Sequence, residues 1–117
     1  MELIETYLTD AEKEGLLEFK KALLDFLEDS LLMVRLFGSK ARGDFGSSSD
    51  LDVAVVIKGD INRKIRDRIY EAAFDITFAT DYSLNLSPVI FTEQEFNSLK
   101  DGEWRIALDI IKEGIDI

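Results

Sequence analysis

The sequence predicts an α/β domain with a small sheet, and three observations carry that expectation. Apolar residues switch between helical and strand spacing along the chain. Two capping boxes, Thr9-Asp10-Ala11-Glu12 and Thr92-Glu93-Gln94-Glu95, mark helix starts. Short apolar runs at residues 31–37 and 51–57 are β-compatible and bounded by turn residues.

In order, Leu16, Leu17, Leu23, Leu24 and Leu27 recur at helical spacing, so residues 10–29 form an expected amphipathic helix. Leu31 to Phe37 reads as the first strand, halted by Gly38. Residues 43–50, Gly-Asp-Phe-Gly-Ser-Ser-Ser-Asp, are loop chemistry. Leu51 to Ile57 is the second strand, apolar on both faces after its first turn. Gly59-Asp60 opens a helix that carries Ile61, Ile65, Ile69, Ala72, Ala73 and Ile76 on one side. Leu84 to Phe91 is a third strand. Its Pro88 argues for an edge position or a bulge, because proline donates no ladder hydrogen bond. A short helix then runs to about Asp101-Gly102, and a last one covers residues 103–113 with Gly114 as its C-cap. With no repeat or linker, residues 1–117 are expected to form one domain.

Composition narrows the chemistry. The chain has no cysteine and no histidine, which excludes disulfides, thiolate metal sites and any Ser-His or Cys-His dyad in cis. Catalysis must rest on carboxylates, hydroxyls, Lys, Arg or a bound metal. The formal net charge of −10 opposes a non-specific grip on nucleic acid, which needs cations against phosphates, and favours a basic protein or a metal-escorted anion. No apolar run approaches the roughly 20 residues of a membrane span. Met1-Glu2-Leu3-Ile4-Glu5 lacks the basic start of a signal peptide, so a cytoplasmic location is the expectation.

The stretch from Leu36 to Val56 is the informative one. Gly38-Ser39 directly follows a strand and precedes Lys40-Ala41-Arg42, a candidate helical turn. A glycine there lets backbone approach a ligand, and amides at a helix start favour anions. Ser39 can add a hydroxyl, and Lys40 or Arg42 a cation: together a phosphate cradle. At the other end Asp50 and Asp52 flank Leu51, and side chains at i and i+2 leave one face of a strand. Two such carboxylates repel unless a cation neutralises them, and hard oxygen ligands suit Mg²⁺. Taken separately, Gly-Ser is more often a plain turn and the aspartates a solvated strand entrance.

Gly-Ser, a ten-residue spacer and Asp-x-Asp, set between apolar strands, resemble the motif of the DNA polymerase β-like nucleotidyltransferases, and most closely their smallest members, the minimal nucleotidyltransferases of MntA-like antitoxin type. The fuller string is Gly-Ser-x-Ala-Arg-Gly, then Ser-Asp-x-Asp-Val. The likeness extends to the helix before the first strand, the Ser87-Pro88-Val89 strand leading into Glu93-Gln94-Glu95-Phe96, and the closing Lys112-Glu113-Gly114-Ile115. It implies a small mixed sheet flanked by helices. It implies that Gly38 and Ser39 bind the β/γ-phosphates of ATP or another nucleoside triphosphate, and that Asp50 and Asp52 hold two Mg²⁺ ions. Arg42 would neutralise charge on the departing pyrophosphate, or else be an exposed structural arginine. Ser49 is read as capping the loop or supporting Asp50 more than as binding substrate.

One position departs from the pattern. Relatives in the superfamily supply a third carboxylate from a later strand, and the residue aligned with it here is Asn85, which cannot accept a proton. Asp75 and Asp81 are the nearest acids in sequence. No accessory domain to hold a large acceptor is expected in residues 1–117. The resemblance therefore implies an acceptor presented by a protein partner, a HEPN-domain RNase toxin that receives AMP on a tyrosine, within a hetero- or homo-oligomer. Two other readings stand beside it: a domain that binds nucleotide or toxin without turnover, and a generic α/β domain with a coincidental motif.

Overall fold

A computed structural model describes residues 8–42, 50–81 and 83–117, with Ser39 and Arg42 described by their main chain alone. The element order is α1 (Asp10–Leu27), a 3₁₀ turn (Glu28–Ser30), β1 (Leu31–Phe37), α2 (Ser39–Arg42), β2 (Leu51–Ile57), α3 (Arg63–Ala79), β3 (Leu86–Thr92), α4 (Glu93–Asp101), α5 (Arg105–Glu113) and β4 (Ile115–Asp116). The expected α/β class and small mixed sheet are what forms.

The four strands lie in the order β3-β2-β1-β4. β1 runs antiparallel to β2 and to β4, whereas β2 and β3 are parallel and joined through α3. β2 is central and buried along nearly its whole length, which explains its almost unbroken apolar run. Its odd residues Leu51, Val53, Val55 and Ile57 pack into a core with Leu16, Phe19 and Leu23 of α1 and Ile69, Ala73 and Ile76 of α3. Its even residues Ala54 and Val56 meet Phe96 of α4 and Ala107 and Ile110 of α5 on the opposite face. The sheet is thus sandwiched between two helix pairs, and strand alternation decides which pair each β2 side chain meets.

Both capping boxes form. The Thr9 Oγ1 accepts from the Glu12 amide at 3.1 Å and Glu12 Oε1 accepts from the Thr9 amide at 2.9 Å. Thr92 and Glu95 repeat the exchange at 3.0 Å in each direction. Pro88 lies on the edge strand, as its chemistry requires. The Leu51 amide donates to the Asn85 carbonyl at 2.8 Å, so Asn85, Ser87 and Val89 turn their main-chain groups toward β2. Leu86 and Pro88 turn theirs to the open side. The amide that Pro88 lacks would have found no strand there, and the Leu86 amide is met by Thr77 Oγ1 of α3 at 3.3 Å.

Element ends moved where no glycine or proline announced them. α1 stops at Leu27, two residues early, because Glu28 takes a positive φ of 50°. Leu17 and Leu24, counted with the apolar face, are exposed, and Phe19 is the buried residue there. α3 begins at Arg63 and not at Gly59-Asp60, since the Asn62 side chain caps it by accepting from the Ile65 amide at 2.8 Å. β3 starts at Leu86, leaving Leu84 buried in the preceding turn. α5 starts at Arg105, with Glu103 at a φ of 55°. Gly114 does cap α5, in extended conformation, and leads straight into β4. The two-residue β4 is too short for any periodicity to reveal. It is held by Arg35, which donates to the Gly114 carbonyl and pairs with Asp116 at 3.2 Å. Among the described residues no helix is long and apolar enough to cross a membrane.

Candidate active site

The site lies where β1 ends and β2 begins. Antiparallel pairing sets Phe37, the last residue of β1, opposite Asp52, and parallel pairing sets Ser87 of β3 on the other side of Asp52. Gly38 follows Phe37 with a φ of 78°, a conformation L side chains rarely adopt. A Cβ built on Gly38 would lie 2.5 Å from Asp52 Oδ2 and 3.4 Å from its carboxyl carbon. The glycine therefore leaves the space that the aspartate carboxylate occupies. The sequence offered a flexible turn and an acidic strand entrance as separate features; the fold brings them into contact.

After Gly38 the chain makes the single turn α2, with the Ala41 amide donating to the Gly38 carbonyl at 3.1 Å. The expected turn at Lys40-Ala41-Arg42 thus forms, and Ser39 is its first residue. Lys40, a candidate cation for the cradle, is not loose. It is buried, and its Nζ lies 2.9 Å from Glu12 Oε2. Burial alone would push the Glu12 carboxyl up, but the Thr9 main-chain hydrogen bond and the Lys40 charge outweigh it and hold the group below the ordinary glutamate value.

Asp50 is exposed and Asp52 half-buried, and strand alternation gives both the face that Ala54 and Val56 bury farther along. Two carboxylates on one face fit Mg²⁺, which commonly takes one or two carboxylates and completes its shell with water and substrate phosphates. Among the described residues no third acid joins them. Asp75 is exposed on α3, and Asp81 is exposed in the turn after it, at a φ of 54°. The β3 residue in register with Asp52 is Ser87, which no sequence pattern marks as a site residue. Continued one step back, the register sets Asn85 beside Asp50, and Asn85 is exposed. Neither carries a charge. The loop expected at 43–50 lies, but for Asp50, outside the described residues, and so does Ser49.

A family model described as the nucleotidyltransferase domain matches residues 16–117. The chain belongs to the nucleotidyltransferase domain family. This excludes the coincidental-motif reading. The match takes in α1 from Leu16 onward, both ends of the Gly38–Asp52 contact and the helices behind it. Among curated relatives, the Methanocaldococcus jannaschii protein named "Putative protein adenylyltransferase MJ0141" is 38% identical over 74 residues, which cover 63% of this nucleotidyltransferase and 73% of the relative. A second from the same organism, MJ0604, carries the same name and is 28% identical over 103 residues, covering 88% of this chain and 94% of its own. Among solved structures, a toxin–antitoxin crystal structure with AMP-PNP superposes with a TM-score of 0.54 at 21% identity, over 84% of this chain and 68% of that one. The toxin–antitoxin MntA-HepT gives 0.50 at 20% identity, over 87% and 68%. At those identities the likeness establishes the fold.

Proposed function

We propose that this nucleotidyltransferase transfers AMP from ATP to a hydroxyl on a partner protein, in a Mg²⁺-dependent reaction, and that the partner is a HEPN-domain toxin. The observation that carries the reading is the contact between Gly38 and Asp52, which joins a candidate phosphate-binding turn to a candidate metal-binding strand. Both curated relatives bear the name of protein adenylyltransferases, and two structural neighbours are toxin–antitoxin complexes.

In this reading Gly38 and Ser39 present main-chain amides, and Ser39 its hydroxyl, to the β/γ-phosphates. Asp50 and Asp52 would be the residues that hold Mg²⁺. Bound Mg²⁺ supplies charge neutralisation on the phosphates and on the attacking and leaving oxygens. Arg42 balances charge on the pyrophosphate, and Ser49 supports Asp50. β3 has no carboxylate, so the acceptor's proton finds no base there. The chemistry then depends on positioning more than on proton transfer, which suits an acceptor held firmly by a protein surface.

An apolar surface beside the site supports a protein acceptor. Tyr70, Phe74 and Phe78 follow one another at i, i+4 and i+8 on α3, exposed at 45%, 56% and 63%. A groove between Tyr70 and Phe74 of this stripe and β3 is lined also by Thr77, Asn85 and Pro88. A contiguous exposed aromatic stripe of this kind marks an interaction surface. With a net charge of −10 behind it, a basic partner is the electrostatic complement.

The test is incubation with α-labelled ATP, Mg²⁺ and a cognate HEPN toxin. Label on a toxin tyrosine with release of pyrophosphate is the expected result. Nucleotide binding without labelling of any partner would replace this reading with the binding module that the uncharged Asn85 and Ser87 favour.

A further inference from the structure

We propose that the buried Glu12–Lys40 ion pair is a positioning strut that holds the phosphate-binding turn in place, so that Glu12, at the far end of α1's first turn, sets nucleotide affinity without touching nucleotide. The inference rests on the reading of Gly38-Ser39 as the phosphate cradle.

α2 is a four-residue helix. A single turn fixes several dihedral angles for little hydrogen bonding and does not hold itself in water. Its placement must come from outside. Ala41 packs against the larger core, and Lys40 reaches Glu12, with side-chain exposures of only 8% and 11% for the two partners. Glu12 is itself fixed. Its Oε1 accepts from the Thr9 amide while Oε2 meets Lys40, and its own amide donates to Thr9 Oγ1. α1 behind it is anchored through Leu16, Phe19, Leu23 and Leu27 in the core. A mechanical line therefore runs from the core through α1 and its capping box to Lys40, and along the α2 backbone to Ser39 and Gly38.

Stability alone is a poor reason for such a pair. Desolvating two charges offsets most of their attraction, and well-packed apolar residues of similar size commonly serve as well. What a buried ion pair adds is a tie between two elements, because parting the partners would leave each charge buried and uncompensated. Placement matters in a cradle whose amides must face a phosphate, and misplacement there weakens binding without unfolding the domain.

The experiment titrates MgATP into the intact chain, wild type, Glu12→Gln, Lys40→Met and the double variant, and follows amide hydrogen exchange by NMR. Each single variant should weaken Kd about tenfold, the lower end of what losing a charge-assisted contact costs, and the double variant should be no weaker than the worse single. Exchange at the Lys40 and Ala41 amides should rise in Glu12→Gln while the Val53 to Val55 amides of β2 stay protected. Lys40→Arg, which keeps the charge, should recover affinity. Loss of affinity in Lys40→Met with none in Glu12→Gln would make Lys40 a phosphate ligand and overturn the strut. A lower melting point with unchanged Kd, or exchange rising equally in α2 and β2, would reduce the pair to general stability and overturn it too. A wild type that binds no MgATP would bring down the cradle reading, and the strut with it.

Discussion

Replacing Gly38 with alanine tests the contact on which the site depends, and Gly59 supplies an internal control. Both glycines have positive φ, 78° and 82°, but a Cβ on Gly59 meets nothing within 4 Å whereas one on Gly38 meets Asp52 Oδ2 at 2.5 Å. Forcing an L residue into the left-handed region costs about 1–2 kcal/mol at either position. The unfolded-state entropy that alanine removes is common to both. Only Gly38→Ala must also displace the aspartate, an overpacking cost of about 1–3 kcal/mol more. At about 2.1 cal/mol/K per residue, unfolding this chain carries an entropy near 0.25 kcal/mol/K, so each kcal/mol shifts Tm by about 4 °C. Gly59→Ala should melt about 4–8 °C below wild type and Gly38→Ala about 8–20 °C below. Calorimetric melts with and without MgATP read both effects: ligand should raise the Tm of wild type and Gly59→Ala and leave Gly38→Ala unmoved. Equal melting of the two variants, with the same ligand-induced rise, would refute the contact and its part in binding.

Asp50 is exposed, so Asp50→Asn should change stability by no more than about 0.5 kcal/mol and yet abolish the Mg²⁺ dependence of ATP binding, which titration with and without EDTA will show. Ser87→Asp, in register with Asp52, should tighten Mg²⁺ binding and speed labelling of an acceptor more than Asn85→Asp, since general-base help contributes about 10²- to 10⁴-fold when well placed; equal and null effects would remove β3 from the site. Because the folded state holds the Glu12 carboxyl below its ordinary value, its stabilisation is complete above that value and is lost as pH falls through the folded one. Urea midpoints of wild type should therefore drop across that acid window more steeply than those of Glu12→Gln.

Much of the fold was legible because local chemistry and tertiary structure agree. Capping boxes at Thr9 and Thr92 involve residues three apart, so the sequence contains both partners. The even and odd residues of β2 share apolarity because both faces are covered, and Pro88 announced the edge on which it lies. Element ends at Glu28 and Glu103 were illegible because positive φ at a glutamate is imposed by packing and by no preference of the residue. β4 was illegible because a two-residue strand is defined by its partner Arg35-Leu36, eighty residues away in sequence to the nearest ten.

The candidate site divides the same way. Asp50-Leu51-Asp52 is a local pattern, and its one-face geometry follows from strand alternation alone. Which residues complete it depends on register. A parallel neighbour brings Ser87 to Asp52 and, one step back, Asn85 to Asp50, and no local signal distinguishes two polar residues two positions apart. Lys40 shows the opposite case: a lysine beside Gly-Ser resembles a phosphate ligand and Glu12 resembles a helix cap alone, whereas in the fold the second oxygen of Glu12 meets the lysine. A carboxylate has two oxygens, and a capping box uses one. Glutamates that cap helices near an anion-binding turn are thus candidates for a second role wherever a buried cation lies within reach.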